Sequence, residues 1–575
     1  MAIDWNLKEE KEKFWHSSAH IMAAAVIQLF KDAKPTIGPP IDEGFYYDFD
    51  VKKPFTPEDF EKIEKKVAEL VKKNDKFERQ EISKKEALEL FKNNKYKTEI
   101  IEELPEGEKI SVYRSGDFLD LCRGPHIGYT SAIKAFKILK TSSAYWRGDA
   151  KKEALQRIYA ISFPKKEMLE EFVKQKEEAE KRNHLKLGKE LDLFSMQGEA
   201  PGTVFFHAKG TILWNELTDF AREEQRKRNY KEVITPIILK KELWLKSGHW
   251  DHYKENMYFT KIDGEEYAIK PMNCPGHTLI YSNKRHSYRD LPIRMGEFGM
   301  VHRHELSGVL NGLFRVRKFT QDDTHIFCTP EQIENEIKEL LEMIAHYYKT
   351  FGFEYKIELS TKPEKAMGSQ EVWDKAEKAL KNALEATKTE YKLNEGDGAF
   401  YGPKIDFHIK DSLGRNWQLG TIQLDFQMPE KFDLKYIDTK DKEARPVMIH
   451  RAIFGSMERF IGILIEHYAG FFPLWLAPLQ VKIVPVSEKF TDYAKKVNTT
   501  FIENGIRSEI DIRTETVSYR VREAQLEKVF YIINVGENEE KAKTIAVRNR
   551  EGKVEFGIKL DKFVEKMKKE ILEKK

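Results

Sequence analysis

Two histidines one helical turn apart give the first hint of chemistry in this chain. His16 and His20 lie in WHSSAH, inside KEEKEKFWHSSAHIMAAAVIQLF, where Phe14, Ile21, Ala24 and Ile27 recur at helical spacing, so both imidazoles project from one helix face. A metalloprotease helix shares the spacing but needs a glutamate beside the first histidine as its base. That position is Ser17 here, which excludes the reading. The next candidate groups are Cys122 and His126 in LCRGPHIG, where Gly124 and Pro125 dictate a turn. His, His, Cys and His would suit tetrahedral zinc, or a hydrolytic pocket in which imidazoles position a water. Satisfied core residues are the plain alternative.

A second donor set lies further along. Cys274 in KPMNCPGH, His325 in FTQDDTHIFC and His450 in PVMIHRAIFGSMERF could supply three ligands with an open fourth position, the pattern of a catalytic or substrate-binding zinc. Spacing alone does not choose among Cys274, His277, His325, Cys328, His408 and His450. Between them, VHRHELSG and LFRVRKFTQDD gather Arg303, Arg315 and Arg317 around SGVLNG, a hairpin tip by its glycines. Arginine forks bind phosphate oxygens bidentately, so inward arginines on such a hairpin suit a nucleoside triphosphate, whereas outward ones would make only a solvated charged loop. There is no Walker loop and no G-x-G-x-x-G in the sequence, so a nucleotide site must be built from side chains.

The elements that must hold these groups differ along the chain. Residues 1–164 mix the first helix with turn-rich strands such as GFYYDFD, an α+β texture. KKEMLEEFVKQKEEAEKRNHLKLGK, over 165–189, is charged almost throughout with a thin apolar stripe, a solvated connecting helix. From 190 to 474, strand-like runs such as NWQLGTIQLDF and AFYGPKIDFHI alternate with helices, predicting a large antiparallel sheet under helical cover. Over 475–575, strand and helix alternate and Lys plus Arg exceed Asp plus Glu, which predicts a small basic α/β domain with a mostly parallel sheet.

Composition sets the frame. At 575 residues, and ~150 per domain, three or four domains are expected. A charged fraction of 34% and the absence of any run of 18 apolar residues argue against a membrane span; FIGILIEHYAGFFPLWLAPL comes nearest and is broken by Glu466 and His467. MAIDWNLKEE lacks the basic flank and apolar core of a signal peptide, so a cytoplasmic protein is expected. Cys122, Cys274 and Cys328 are too few for a disulfide framework. A net charge of +3 does not by itself predict a nucleic-acid partner.

Taken in order, HSSAH, LCRGPH, KPMNCPGH, EFGMVHRHELSG, LFRVRKFTQDDTHIF, GAFYGPKIDF, LGTIQLDF and PVMIHRAIFGSMERFIGILIEHYAGFFPLWLAP closely resemble the threonyl-tRNA synthetases, a family of class II aminoacyl-tRNA synthetases. The resemblance runs along nearly the whole chain. It implies an α+β multidomain fold with an editing domain over 1–164, a linker helix over 165–189, a class II catalytic domain over 190–474 and an anticodon-binding domain over 475–575. The implied activity is formation of threonyl-adenylate from L-threonine and Mg-ATP, transfer to the 3′ end of tRNA(Thr), and hydrolysis of mischarged seryl-tRNA(Thr).

Residue by residue, the resemblance makes Arg303 the arginine on the α-phosphate and Arg459 the one near the β- and γ-phosphates, with Arg315 assisting. Glu305 and Phe319 would hold the adenine, and Gln418 joins the ATP contacts. Cys274, His325 and His450 become ligands of one zinc per subunit; Gln321, Asp323, Tyr401 and Gln423 surround threonine, and His249 serves transfer to tRNA. His16, His20, Lys97, Asp120, Cys122 and His126 become an editing pocket, expected to be metal-free and water-activating. Arg522, Glu539 and Arg548 would read anticodon bases, and Pro236 would lie at a homodimer interface. No DNA or membrane partner is implied. Three departures stand out: His304 replaces a frequent Asn, Thr514 replaces an anticodon-contacting Asn, and little chain precedes His16 where the family usually carries a β-grasp domain.

Overall fold

The computed structural model describes residues 3–5, 7–105, 107–149 and 151–574. The chain divides into two compact units, Met1–Glu177 and Glu178–Lys575. In the first, strands Phe45–Asp50, Ala154–Phe163 and Ala135–Tyr145 pair antiparallel, with the short strand Lys34–Pro35 at one edge. Strands Glu78–Ile82, Ile110–Ser115 and Phe118–Leu121 form a second antiparallel sheet. Helix Lys8–Leu29 is buried on more than one face: every residue from Ser17 to Val26 is buried. Its small residues permit this close packing, and the hydroxyls of Ser17 and Ser18 are satisfied by donating one turn back, to the carbonyls of Lys13 and Phe14.

The stretch expected as one connecting helix is two. Helix Lys166–Arg182 has no buried residue, and Asn183 then breaks the run, its side chain accepting the N–H groups of Leu185 and Lys186 to cap helix His184–Glu190.

The second unit is organised by an eight-stranded sheet in the order Lys231–Glu232, Ile293–His302, Lys318–Cys328, Val447–Ala452, Asn416–Asp425, Lys404–Lys410, Glu354–Ser360 and Lys392–Asn394. All its pairs are antiparallel except the two at the edges. One face supplies Ile326, Ile422, Leu424 and Ile449 to the main core, which also takes residues of helices Ala208–Lys227, Ile333–Thr350 and Met457–His467. The other face is left for chemistry. Met457–His467 is the helical part of the most apolar stretch, and no helix among the described residues is long and apolar enough to cross a membrane.

The C-terminal sheet runs Ser508–Ile510, Val481–Pro485, Tyr531–Val535, Thr544–Arg548 and Val554–Lys559. It is half parallel rather than mostly so. The first two pairings are parallel and the last two antiparallel; the final pair is joined by a hairpin in which Gly552 takes a positive φ of 84°.

Candidate active site and metal cluster

Strand Lys318–Cys328 lays out the site by simple alternation. Side chains two apart share a face, so Phe319, Gln321, Asp323 and His325 point one way while Thr320, Asp322, Thr324 and Ile326 are buried on the other. Cross-strand register extends the row: Met295, His325, His450 and Gln423 are successive partners across four strands. Cys274 arrives from the first turn of helix Cys274–Ser282, preceded by Asn273, whose amide donates to Asp323 Oδ2 at 3.0 Å. Gly299 makes room for this: a Cβ there would lie 2.3 Å from the Asn273 amide.

The donor atoms of Cys274, His325 and His450 all lie within 4.8 Å of one another, and all three residues are buried. The surrounding hydrogen bonds assign the tautomers. Burial pushes the Glu297 carboxyl up, but bonds from His277 and Thr235 and the charge of Lys270 outweigh it and bring it down to about 2. An ionised Glu297 accepts from His277 Nε2 at 3.1 Å, which leaves His277 Nδ1 to accept from His325 Nδ1 at 2.8 Å. His325 Nε2 is then bare. On the other ring, His450 Nε2 donates to Asp425 Oδ2 at 2.8 Å, while Asp425 Oδ1 accepts the N–H groups of Gln427 and Met428, so His450 Nδ1 is bare too.

When each ring carries only its outer proton, two lone pairs face each other at 3.0 Å, an arrangement that a cation relieves. Two neutral imidazoles and a thiol whose second partners are carboxylates or a carboxylate-bound histidine fit a divalent metal with an open fourth position. Without that charge, burial and the Asp323 and Asp425 carboxylates push the Cys274 thiol well up. Cys328 belongs instead to the main core and His408 pairs with Glu358, so neither joins the cluster. Tyr401 closes one side, its hydroxyl donating to Gln423 Oε1 and its ring 5.0 Å from that of His450.

Near the hairpin end of the sheet lie three guanidiniums, of which, among the described residues, only Arg315 pairs with a carboxylate. Arg303 donates through Nε to the Pro271 carbonyl and lies over the Phe319 ring at 5.0 Å. Arg315 binds Glu305 at 2.9 Å, and Arg459 Nε donates to the Phe314 carbonyl at 2.9 Å. Burial and the nearby Arg315 and Arg303 charges push the Arg459 guanidinium below its usual value. Such surplus positive charge in a partly buried site calls for a polyanion. Gln418 is exposed without a side-chain partner among the described residues, next to Trp417, whose ring packs on Phe314 at 4.5 Å. His249 is fully buried, with Nδ1 2.8 Å from Ser247 Oγ.

The N-terminal unit holds the other cluster in a cavity of 1040 Å³ lined by His16, His20, Tyr47, Lys97, Asp120 and Cys122 among others. Here too the donor atoms of His16, His20, Cys122 and His126 lie within 4.8 Å of one another. Ser17 spends its proton on Lys13 and accepts from Ile127 N–H, so His126 Nδ1 donates to it at 3.0 Å and His126 Nε2 is bare. That nitrogen and His16 Nε2 sit 3.2 and 3.3 Å from Cys122 Sγ. Burial raises the Cys122 thiol to about 11 and lowers His126 to about 2, with the neighbouring His20 and His16 adding to the latter. The thiol proton therefore has the bare His126 Nε2 within reach, with His16 Nε2 beside it. Asp120 is held by Lys97 at 2.6 Å and the Tyr47 hydroxyl at 2.5 Å. Gly124 permits the tight turn between Cys122 and His126: its φ is +73° and a Cβ would lie 2.3 Å from the Tyr113 hydroxyl.

Residues 258–468 match the family described as "tRNA synthetase class II core domain (G, H, P, S and T)", residues 480–570 the "Anticodon binding domain", and residues 110–159 the "Threonyl and Alanyl tRNA synthetase second additional domain". The threonine–tRNA ligase of Caldanaerobacter subterraneus subsp. tengcongensis is 57% identical over 569 residues, covering 99% of this chain and 88% of the relative. That of Acetivibrio thermocellus is 57% identical over 97% of this chain and 88% of the relative. The chain belongs to the threonyl-tRNA synthetases. A solved structure described as the RNA binding domain of threonyl-tRNA synthetase from Cryptosporidium parvum Iowa II is 44% identical, with a TM-score of 0.64 over 68% of this chain and 98% of that one.

In the C-terminal domain, Arg522 is exposed, Glu539 accepts the Gly536 N–H to cap its own helix at 3.0 Å, and Arg548 donates to the Gly552 carbonyl at 2.9 Å. Asp425, Asn273, Glu297 and Lys270 were not singled out from the sequence, and His277 was one unresolved candidate among six. The usable signal was His277 lying three residues after Cys274, one turn on along the same helix.

Proposed function

We propose that this chain is a threonine–tRNA ligase that forms threonyl-adenylate from threonine and Mg-ATP, charges tRNA(Thr), and hydrolyses seryl-tRNA(Thr). The observation that carries the reading is the pair of carboxylate-backed imidazoles beside Cys274, that of His325 on one of the two paired strands whose hairpin end carries Arg303 and Arg315. Arg303 takes the α-phosphate, where charge develops during adenylation, and Arg315 and Arg459 take the outer phosphates. Phe319 and Glu305 seat the adenine, with Gln418 at the nucleotide's edge. Asp323, Gln321, Gln423 and Tyr401 surround the amino acid, the Asp323 carboxylate suiting its ammonium group, and His249 serves the transfer to tRNA. Cys274, His325 and His450 hold one zinc, which when bound supplies a Lewis-acidic centre that favours a substrate with a hydroxyl. Discrimination needs it: an apolar pocket would separate threonine from valine by only ~100-fold.

Serine keeps the hydroxyl and loses one methyl, worth only ~1–3 kcal/mol, so a second, hydrolytic site is required. In the N-terminal pocket the neutral His16 imidazole accepts a proton from a water that His126 helps to position, as the water oxygen bonds to the ester carbonyl carbon; the ester C–O bond breaks and the ribose oxygen takes that proton from the imidazolium. Lys97 and Asp120 orient the substrate, His20 completes the polar wall, and the pocket works without metal.

The domain division is 1–164, 165–189, 190–474 and 475–575. Arg522, Glu539 and Arg548 contact the anticodon. The enzyme is a cytoplasmic homodimer, and the apolar run around Pro236, where Ile234 is 88% exposed, supports the pairing surface.

Amino-acid-dependent ATP–pyrophosphate exchange tests the reading. Exchange is expected to be strong with threonine, weaker with serine, and lost with valine and proline or on zinc chelation. No exchange with threonine would overturn it.

A further inference from the structure

His184 is 2% exposed at the start of helix His184–Glu190, immediately after the connecting helix. Its backbone N–H and its Nδ1 both meet Glu466 Oε1, at 2.9 and 2.7 Å, so Nδ1 carries the proton and Nε2 is an acceptor. That acceptor takes the backbone N–H of Leu313 at 3.1 Å, in the loop between the two hairpin strands, and the imidazole packs on Phe314 with ring centres 4.1 Å apart. The loop is shaped to the ring: Gly312 has a positive φ of 48°, and a Cβ there would lie 2.2 Å from His184 Nε2. Both partners lead to the same place. The Phe314 carbonyl accepts Arg459 Nε, and Glu466 lies on helix Met457–His467, which carries Arg459.

We infer that His184 is a positioning residue for Arg459: one imidazole joins the carbonyl that aims the guanidinium to the helix that bears it, and so sets the grip on the outer phosphates of ATP. The inference rests on the nucleotide reading above. Its own content is that a side chain far from the phosphates in sequence, touching no substrate, decides ATP affinity and leaves threonine affinity alone. The geometry supports this because Phe314 offers Arg459 a carbonyl, not a side chain, so the guanidinium's direction depends on the loop backbone that His184 fixes.

The test is ATP–pyrophosphate exchange by the full chain, normalised to active sites titrated by adenylate formation, with H184A, H184Q and H184N. In H184A, KM for ATP is expected to rise about 10- to 100-fold, the range expected for a small misplacement of a binding group, while KM for threonine and bound zinc stay as in the unsubstituted chain. H184Q, whose amide oxygen reaches the Leu313 N–H, recovers most of the loss; H184N, too short to reach it, does not. A merely structural role predicts fewer active sites with an unchanged KM for ATP, and that result overturns the inference. If H184A is insoluble, the glutamine and asparagine variants decide: equal and normal ATP KM in both overturns it. Failure of the unsubstituted chain to exchange with threonine would instead sink the functional reading itself.

Discussion

The two histidine and cysteine clusters of this protein use the same donor types and end in different states. In the sheet cluster, each outer ring nitrogen is tied to an acid, His450 to Asp425 directly and His325 to Glu297 through His277, which leaves the two inner nitrogens facing each other at 3.0 Å. In the N-terminal cluster, His126 is tied to a serine hydroxyl, and its bare nitrogen faces a thiol that burial keeps protonated. The first arrangement offers two inward nitrogens to a cation and the second already has a proton to share. The first also sets its two histidines on paired strands, with only its cysteine on a helix, whereas the second is made by a helix and a turn beside a large cavity that can hold water and an ester. Ligand count alone does not separate metal chemistry from hydrolysis; the partners of the far nitrogens do.

Several substitutions would break or sharpen that contrast. The largest effect is expected from H450A: metal content falls to nothing, and threonine-dependent exchange drops on the order of 10³-fold. Next is H126A, which should slow seryl-tRNA hydrolysis about 10²-fold while leaving exchange and metal content unchanged. A loss of metal in that variant would erase the distinction. D425N keeps a hydrogen-bonding side chain beside His450 but removes the charge, so zinc affinity, read by chelator competition, should weaken about 10–100-fold.

The choice of donors was the part that spacing could not make without the family resemblance. Alternation in FTQDDTHIFC makes the shared face of Phe319, Gln321, Asp323 and His325 legible, and the arginine hairpin is legible from its glycines. Which of six cysteines and histidines converge depends on cross-strand register, His325 opposite His450 over a separation of 125 residues, and register follows from packing that no local pattern encodes. Asp425 and Glu297 were illegible for the same reason. The first helix was legible as a helix but not in its burial, because small residues such as Ala23 to Ala25 pack on any side.

The smallest effect concerns pH. His16, His20 and His126 are all lowered, chiefly by burial. The unfolded chain binds protons as pH falls through about 6.5 while the folded pocket resists them, so stability is full above that value and is lost below it. Each imidazole held neutral costs about 1.4 kcal/mol per pH unit below its ordinary pKa. Amide hydrogen exchange along helix Lys8–Leu29 should therefore accelerate, beyond its intrinsic pH dependence, as pH falls from 7 to 5, and should do so less in H126A. A pH-independent local stability would contradict the assignment.

The most direct test is metal stoichiometry of the full chain, measured with C274A and C122A alongside. One zinc per chain is expected, with none in C274A and one retained in C122A. Two per chain, or loss in C122A, would mean that the N-terminal cluster binds metal as well, and the contrast between the two sites would fall.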